Sequence, residues 1–341
     1  MKQLLSLCGI LTVLIIKSQN PTWIKGGNAI TQAGIYGTLG TPAPGNTPGS
    51  REGGATWMDS TGCFWVFGGN GHDFLNNNGL LNDLWKYNPG TNQWTWIKGD
   101  QIINQLGTYG SLAAPNPTNK PGARQSPCTW TDANGNFWMF GGWGYGTGAS
   151  LGYLNDLWKF NPGTGLWTWM GGSTLPYQGA TYGTQGIPSA LNIPGARTGH
   201  SSFSDAQGML WVFGGLGNTT NSTTVGYLND VWKYNPNTGE WTWVNGNNSI
   251  NQNGIYGSIG VANSSNKPGG RLNSTSWKDI SGNFWIFGGM GHDATNNMAQ
   301  LLNDLWKYNP TTNQFTFMKG STAPFQNGIY GTMGVASPSN I

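Results

Sequence analysis

Two short stretches of this chain pair an imidazole with a carboxylate: "GHD" at 71–73 and again at 291–293. A His-Asp pair can orient the ring for proton transfer or metal binding, so His72, Asp73, His292 and Asp293 are candidate ligand-binding residues. The equivalent positions elsewhere read "GYG" (144–146) and "GNT" (217–219), so a turn copied by duplication accounts for the pair as well. Trp143 and Tyr145, in "GGWGYG", are unrepeated aromatics in the same type of segment. Exposed there, they could stack on a sugar ring or a peptide side chain. No residue in this set is expected to be catalytic, and no metal or other cofactor is implied.

These six stand out once the periodic residues are set aside. The four arginines, Arg51, Arg124, Arg197 and Arg271, all follow "PGx". Eight of the eleven aspartates form two ladders, one at Asp59, Asp132, Asp205 and Asp279, the other at Asp83, Asp156, Asp230 and Asp304. Eighteen of the nineteen tryptophans recur, leaving Trp143. Residues repeated this faithfully are expected to be framework. His200 belongs with them, in "RTGHS" (197–201), and is expected to be structural. No arginine is then spare for a substrate carboxylate, and neither Cys63 nor Cys128 has a convincing partner for a cross-linked copper site. A non-enzymatic protein is the expectation.

The ladders advance by 73 or 74 residues, with "LNDLWKYNP" or a near-copy at 81–89, 154–162, 228–236 and 302–310. A fixed period of this kind signals a solenoid, a propeller or an array. Within one period the signals are strand and turn: "ATWMD" (55–59), "FWVF" (64–67) ending in Gly-Gly, "DLWKY" (83–87), and "WTWI" (94–97) after the turn "NPGTNQ". No helix is expected outside the N-terminal segment. Four short strands per period, rich in large aromatics, make a propeller blade.

The chain here resembles the kelch-repeat family: a Gly-Gly doublet after an apolar strand, then a Tyr and a Trp seven apart (Tyr87 and Trp94, Tyr234 and Trp241), with "RTGHS" similar to the family's R-x-G-H-S start. It is similar to the kelch propellers of the galactose oxidase central domain and of attractin and muskelin. The resemblance implies an all-β, kelch-type β-propeller of four-stranded antiparallel blades. Kelch units run to about 50 residues; the excess here lies in a constant insert before each "PGxR", marked by "QAGIYGTLG" (32–40), "QLGTYGSLA" (105–113) and their copies. Its Tyr and Gly are expected to pack over the blade edge.

The expected organisation is a signal peptide at 1–18 and a propeller over 19–341, with repeats near 51–123, 124–196, 197–270 and 271–341. "PTWIKG" (21–26) reads as a lone fourth strand followed by an insert to residue 50, and "VASPSNI" (335–341) as the start of a further unit. Four complete blades and a split one therefore predict an incomplete ring of a propeller with five or more blades. Long connections, from Asn70 to about Leu81 and through each insert, are expected to emerge on one face and to carry binding.

Lys2, the apolar run 4–16 and "KSQ" read as a secretory leader too short to span a bilayer. The protein is then secreted or extracytoplasmic, not integral to a membrane. Without residues 1–18, 14 Lys+Arg face 13 Asp+Glu. No basic run offers a nucleic-acid footprint. Cys63 and Cys128 lie at different points of different repeats and are expected to be incidental thiols. The function expected is a binding scaffold for a protein or carbohydrate partner; the alternatives are a galactose-oxidase-like or other carbohydrate-active enzyme and a structural cell-surface or adhesion component.

Overall fold

The computed structural model describes residues 22–295 and 299–340. The expected leader, 1–18, lies outside them. The described residues contain no helix and are built from four antiparallel sheets, one per repeat.

In blade one, β1 (Arg51–Glu52) and β2 (Ala55–Met58) are two pieces of the innermost strand, followed by β3 (Phe64–His72), β4 (Asn78–Asn88) and β5 (Gln93–Lys98). Each strand pairs with the next, β1 and β2 both with β3. Blade two repeats this as β6 (Arg124–Gln125), β7 (Cys128–Thr131), β8 (Phe137–Tyr145), β9 (Leu151–Asn161) and β10 (Leu166–Gly171). Blade three comprises β11 (Arg197–Thr198), β12 (Ser201–Ser204), β13 (Leu210–Asn218), β14 (Val225–Asn235) and β15 (Glu240–Asn245). Blade four adds β16 (Ala262–Asn263), an insert strand on its outer edge, to β17 (Arg271–Leu272), β18 (Thr275–Lys278), β19 (Phe284–Gly291), β20 (Gln300–Asn309) and β21 (Gln314–Lys319).

The second and third strands are longer than the sequence suggests. "FGG" is a bulge, not a stop: Gly68 and Gly69 take φ of 63° and 99°, and pairing resumes at Gly69↔Leu81 and runs to His72↔Asn78. Those φ values favour glycine because a Cβ clashes there. The expected long connection from Asn70 to about Leu81 therefore shrinks to residues 73–77, and only the inserts are long. The segment 22–26, expected as a lone strand, forms none. A fourth strand needs a third strand to pair with, and none lies beside it.

Consecutive blades pack through aromatic layers, which is why the inner strands are apolar on both faces. Trp57, Trp65 and Phe67 of blade one meet Phe137, Met139, Trp158 and Trp167 of blade two. The same relation joins blade two to three and three to four. The kelch Tyr-Trp pair is a cross-strand contact within a blade: Tyr87 lies opposite Trp94 with ring centroids 5.1 Å apart, and Tyr234 opposite Trp241 at 5.0 Å. The two outermost faces stay open. Phe64 of blade one is 50% exposed and Trp277 of blade four 44%, whereas their internal counterparts Phe137 and Trp57 are buried. The four blades do not seal into a disc.

Candidate binding face

The repeated polar residues form the frame. In each blade the "PGxR" arginine grips the "LND" aspartate bidentately: Arg124 Nη1 and Nη2 donate to Asp156 Oδ1 and Oδ2 at 2.6 and 2.7 Å. Arg51–Asp83, Arg197–Asp230 and Arg271–Asp304 repeat it. Asp156 Oδ2 also accepts from Trp158 Nε1 at 2.7 Å and from the hydroxyl of Tyr109 at 2.6 Å. Tyr36, Tyr182 and Tyr256 donate likewise to Asp83, Asp230 and Asp304. Burial first, and the aspartate's charge second, push all four phenols up, so each remains a proton donor. These tyrosines belong to the "QxGxYG" inserts.

Each insert thus seals the blade that follows it. Beyond the Tyr–Asp bond, Asn46, Asn119, Asn192 and Asn266 donate to the carbonyls of Trp94, Trp167, Trp241 and Phe315 on the outermost strands. Backbone N–H groups of Gly40 and Ala113 do the same to Trp96 and Trp169 at 2.8 Å. The inserts satisfy the polar edge a propeller blade would otherwise present to other chains. The expected packing over the blade edge is what the structure shows.

The other aspartate ladder holds the tight turn between the first two strands. Asp59 accepts from Thr61 N, Cys63 N and Trp65 Nε1, and Asp279 from Asn283 N and Trp285 Nε1. The lysine of each "WK" lies over the same Trp, as Lys86 over Trp65 at 5.1 Å. His200 is buried and packed edge-on against Phe140. Cys63 and Cys128 are free and buried.

The six candidate residues divide. His72 is not on a loop but ends β3, and its Nδ1 meets the Ser50 hydroxyl at 3.1 Å. Asp73 is fully buried, accepting from Leu75 N and Asn77 N at 2.9 Å and from Asn77 Nδ2 within its own turn, and from Ile103 N of the next insert at 3.4 Å. The carboxylate therefore fixes the connection between strands; the ring's partner is a serine. Asp293 plays a similar part with Thr295 N, and His292 is buried with Tyr227 beside it at 5.7 Å. Among the described residues no three His, Cys, Asp or Glu side chains gather as a metal-holding group.

Trp143 and Tyr145, both on β8 and both half-buried, lie in richer company. Trp143 meets Tyr153 edge-on at 4.7 Å and Tyr177 at 6.1 Å, and Tyr153 meets Tyr177 at 5.6 Å. The Trp143 indole N–H and the hydroxyls of Tyr145, Tyr153, Tyr177 and Tyr227 make no hydrogen bond among the described residues. Ring faces and polar tips are both on offer.

Tyr177 has φ of 59°, a left-handed conformation disfavoured for a bulky side chain. At the same position Asn104 and Asn251, with φ of 59° and 57°, accept hydrogen bonds from Leu80 N and Tyr227 N. Thr31 and Phe325 share the position and the conformation, with φ of 56° and 53°, so the left-handed turn belongs to every insert; what blade two adds is a ring packed against Trp143 and Tyr153. Tyr153, Tyr177 and Tyr227 were not singled out from sequence. The available signal was the same one that marked Trp143, disagreement between repeats: Tyr153 and Tyr227 stand where blades one and four have Leu80 and Leu301.

A search among curated proteins finds no match to the chain. The family model described as the KLHDC2/KLHL20/DRC7 Kelch-repeats domain matches residues 41–252, more than half of the chain. With four antiparallel blades and a cross-strand Tyr-Trp pair in blades one and three, the chain belongs to the kelch-repeat family.

Proposed function

We propose that this protein is an exported kelch-type scaffold that binds a protein or glycan partner on the aromatic patch of Trp143, Tyr153 and Tyr177, with Tyr145 and Tyr227 at its margin. The observation that carries this is the ring cluster itself: where the other repeats lack the Trp, Trp143, Tyr153 and Tyr177 meet edge-on at 4.7, 5.6 and 6.1 Å and leave their N–H and O–H tips unpaired. The leader motif at 1–18 supports export. Flat ring faces with unpaired N–H and O–H groups suit a sugar ring, a proline or an aliphatic side chain, each of which stacks on aromatics and leaves a polar group to be met.

A scaffold role also agrees with where the ionisable groups go. All four arginines are committed to aspartates, leaving none for a substrate carboxylate. Among the described residues no helix is long and apolar enough to cross a membrane. The test is a glycan array and a pull-down of secreted or surface proteins, each run with the protein and with Trp143→Ala. We expect at least a tenfold loss of the captured ligand on substitution; undiminished binding rejects the patch as the site.

A further inference from the structure

The first and last blades present the two halves of an interface that the molecule builds three times internally. Two features recur at all three internal junctions, and a third at the first and last of them. One is a backbone ladder along the innermost strands: Ser126 N donates to Gly53 O at 2.7 Å, Gly199 N to Ser126 O at 3.2 Å, and Asn273 N to Gly199 O at 2.7 Å. Its unused ends are the Gly53 N–H on blade one and the Asn273 carbonyl on blade four.

The second is a glycine socket. The point a Cβ would occupy on Gly68, Gly141 and Gly214 lies 2.8, 2.8 and 3.0 Å from the carbonyl oxygen of the next blade's Arg124, Arg197 and Arg271. At Gly288 the only such neighbours within 4 Å belong to Leu302 of its own sheet, so the socket is open. The ladder carbonyl left without a socket is that of Arg51.

The third is a ring stack. Trp57 lies on Phe137 at 5.3 Å and 11°, and Phe203 on Phe284 at 4.5 Å and 4°. The equivalent rings left over are Trp277 and Phe64, the two exposed aromatics at the open ends.

We propose that a second copy of this chain docks head to tail, blade one of one copy on blade four of the other. Phe64 then stacks on Trp277, the Arg51 carbonyl enters the Gly288 socket, and the Gly53 N–H meets the Asn273 carbonyl. The contact is heterologous, so it propagates or closes according to the angle between copies.

One local exchange follows from the same repeat relation. Lys98 Nζ reaches the Pro117 and Gly165 carbonyls of the next blade, and Lys25 reaches the equivalent Pro44 and Asn92 carbonyls of blade one. Lys319 of the incoming copy stands in the position of Lys25 and replaces it, displacing residues 22–26. Residues 27–50, joined directly to Arg51, keep the outer edge of blade one.

The test is the mass of the purified protein in solution across the micromolar range, by light scattering and sedimentation. We expect association that rises with concentration, and single chains for Trp277→Glu and for Phe64→Glu. An equimolar mixture of the two variants should form a dimer and nothing larger, because each retains one intact end. A single-chain mass for the unsubstituted protein throughout, an unchanged assembly in either variant, or a mixture that stays monomeric overturns the proposal. Circular dichroism checks the fold of each variant, and Trp277→Ala with Phe64→Ala gives the same readout should a buried-in-assembly charge disturb it.

Discussion

Tyr109 donates its hydroxyl to Asp156 at 2.6 Å, from a position 47 residues earlier in the chain. The carboxylate it meets is fully buried and already held by Arg124 and Trp158. A buried ion pair is stable only when its remaining lone pairs are met, and here the insert supplies the last donor. The insert is thereby tied to the blade by the same charge that ties the first strand to the third.

Removing the charge and removing the last donor should differ. Asp156→Asn leaves the Arg124 guanidinium buried without a counter-charge, and we expect a loss of about 3–5 kcal/mol in urea unfolding. Tyr109→Phe leaves the pair intact and should cost only about 1–2 kcal/mol. Equal losses would mean that the insert, not the ion pair, organises the blade.

The blade period and its strands were legible because each repeat spells them out, and two copies and two near-copies of "LNDLWKYNP" leave little room for another fold. The Tyr109–Asp156 bond was not, since no local pattern links residues so far apart. Nor was the bulge at Gly68 and Gly69. A glycine pair that ends a strand and one that kinks it read alike until the pairing of Gly69 with Leu81 is seen. The aromatic patch was half visible: Trp143 broke the repeat conspicuously, while Tyr177 hid at a position whose left-handed backbone only the structure displays.

Acid should weaken the fold through His200 before it reaches the carboxylates. Burial first, and Arg197 second, hold this imidazole down to about 3. The unfolded chain protonates its histidine near pH 6.5 while the folded chain does not, so stability is full above that pH. It should decline by up to about 1.4 kcal/mol per pH unit between there and the folded value. His200→Ser, the residue blade four carries as Ser274, should flatten the decline between pH 6.5 and 4.5. Asp279, held down to about 2 by hydrogen bonds from Trp285 and Asn283, keeps its stabilisation through that window and loses it only below the ordinary aspartate range. Urea midpoints across pH, with and without the substitution, decide the matter.

Tyr177→Asn should make the protein more stable and a poorer binder. Asparagine suits the left-handed backbone and can accept from Tyr153 N as Asn104 does from Leu80 N. Relieved strain and the added bond, about 2 kcal/mol together, outweigh about 1 kcal/mol of lost ring contact with Trp143 and Tyr153, so a net gain of about 1 kcal/mol is expected. The lost ring removes one wall of the patch, so affinity for the captured ligand should fall alongside that of Trp143→Ala. A variant that binds as well as the original protein would show that the ring is no part of the site.

Gly68 and Gly288 allow the blade junction to be weighed against an internal control. Both have left-handed φ, 63° and 60°, and both place a carbonyl of their own sheet, Leu81 or Leu302, 2.8 Å from an added methyl. The intrinsic strain of alanine, about 1–2 kcal/mol, is therefore common to the two. Gly68 alone also faces the Arg124 carbonyl of the next blade. Measured at concentrations where the chain is single, Gly68→Ala should exceed Gly288→Ala by about 1–3 kcal/mol, the cost of forcing extra volume into a packed junction. If the junction between copies forms as proposed, the order changes with concentration: Gly288→Ala then suppresses association while Gly68→Ala, once folded, does not.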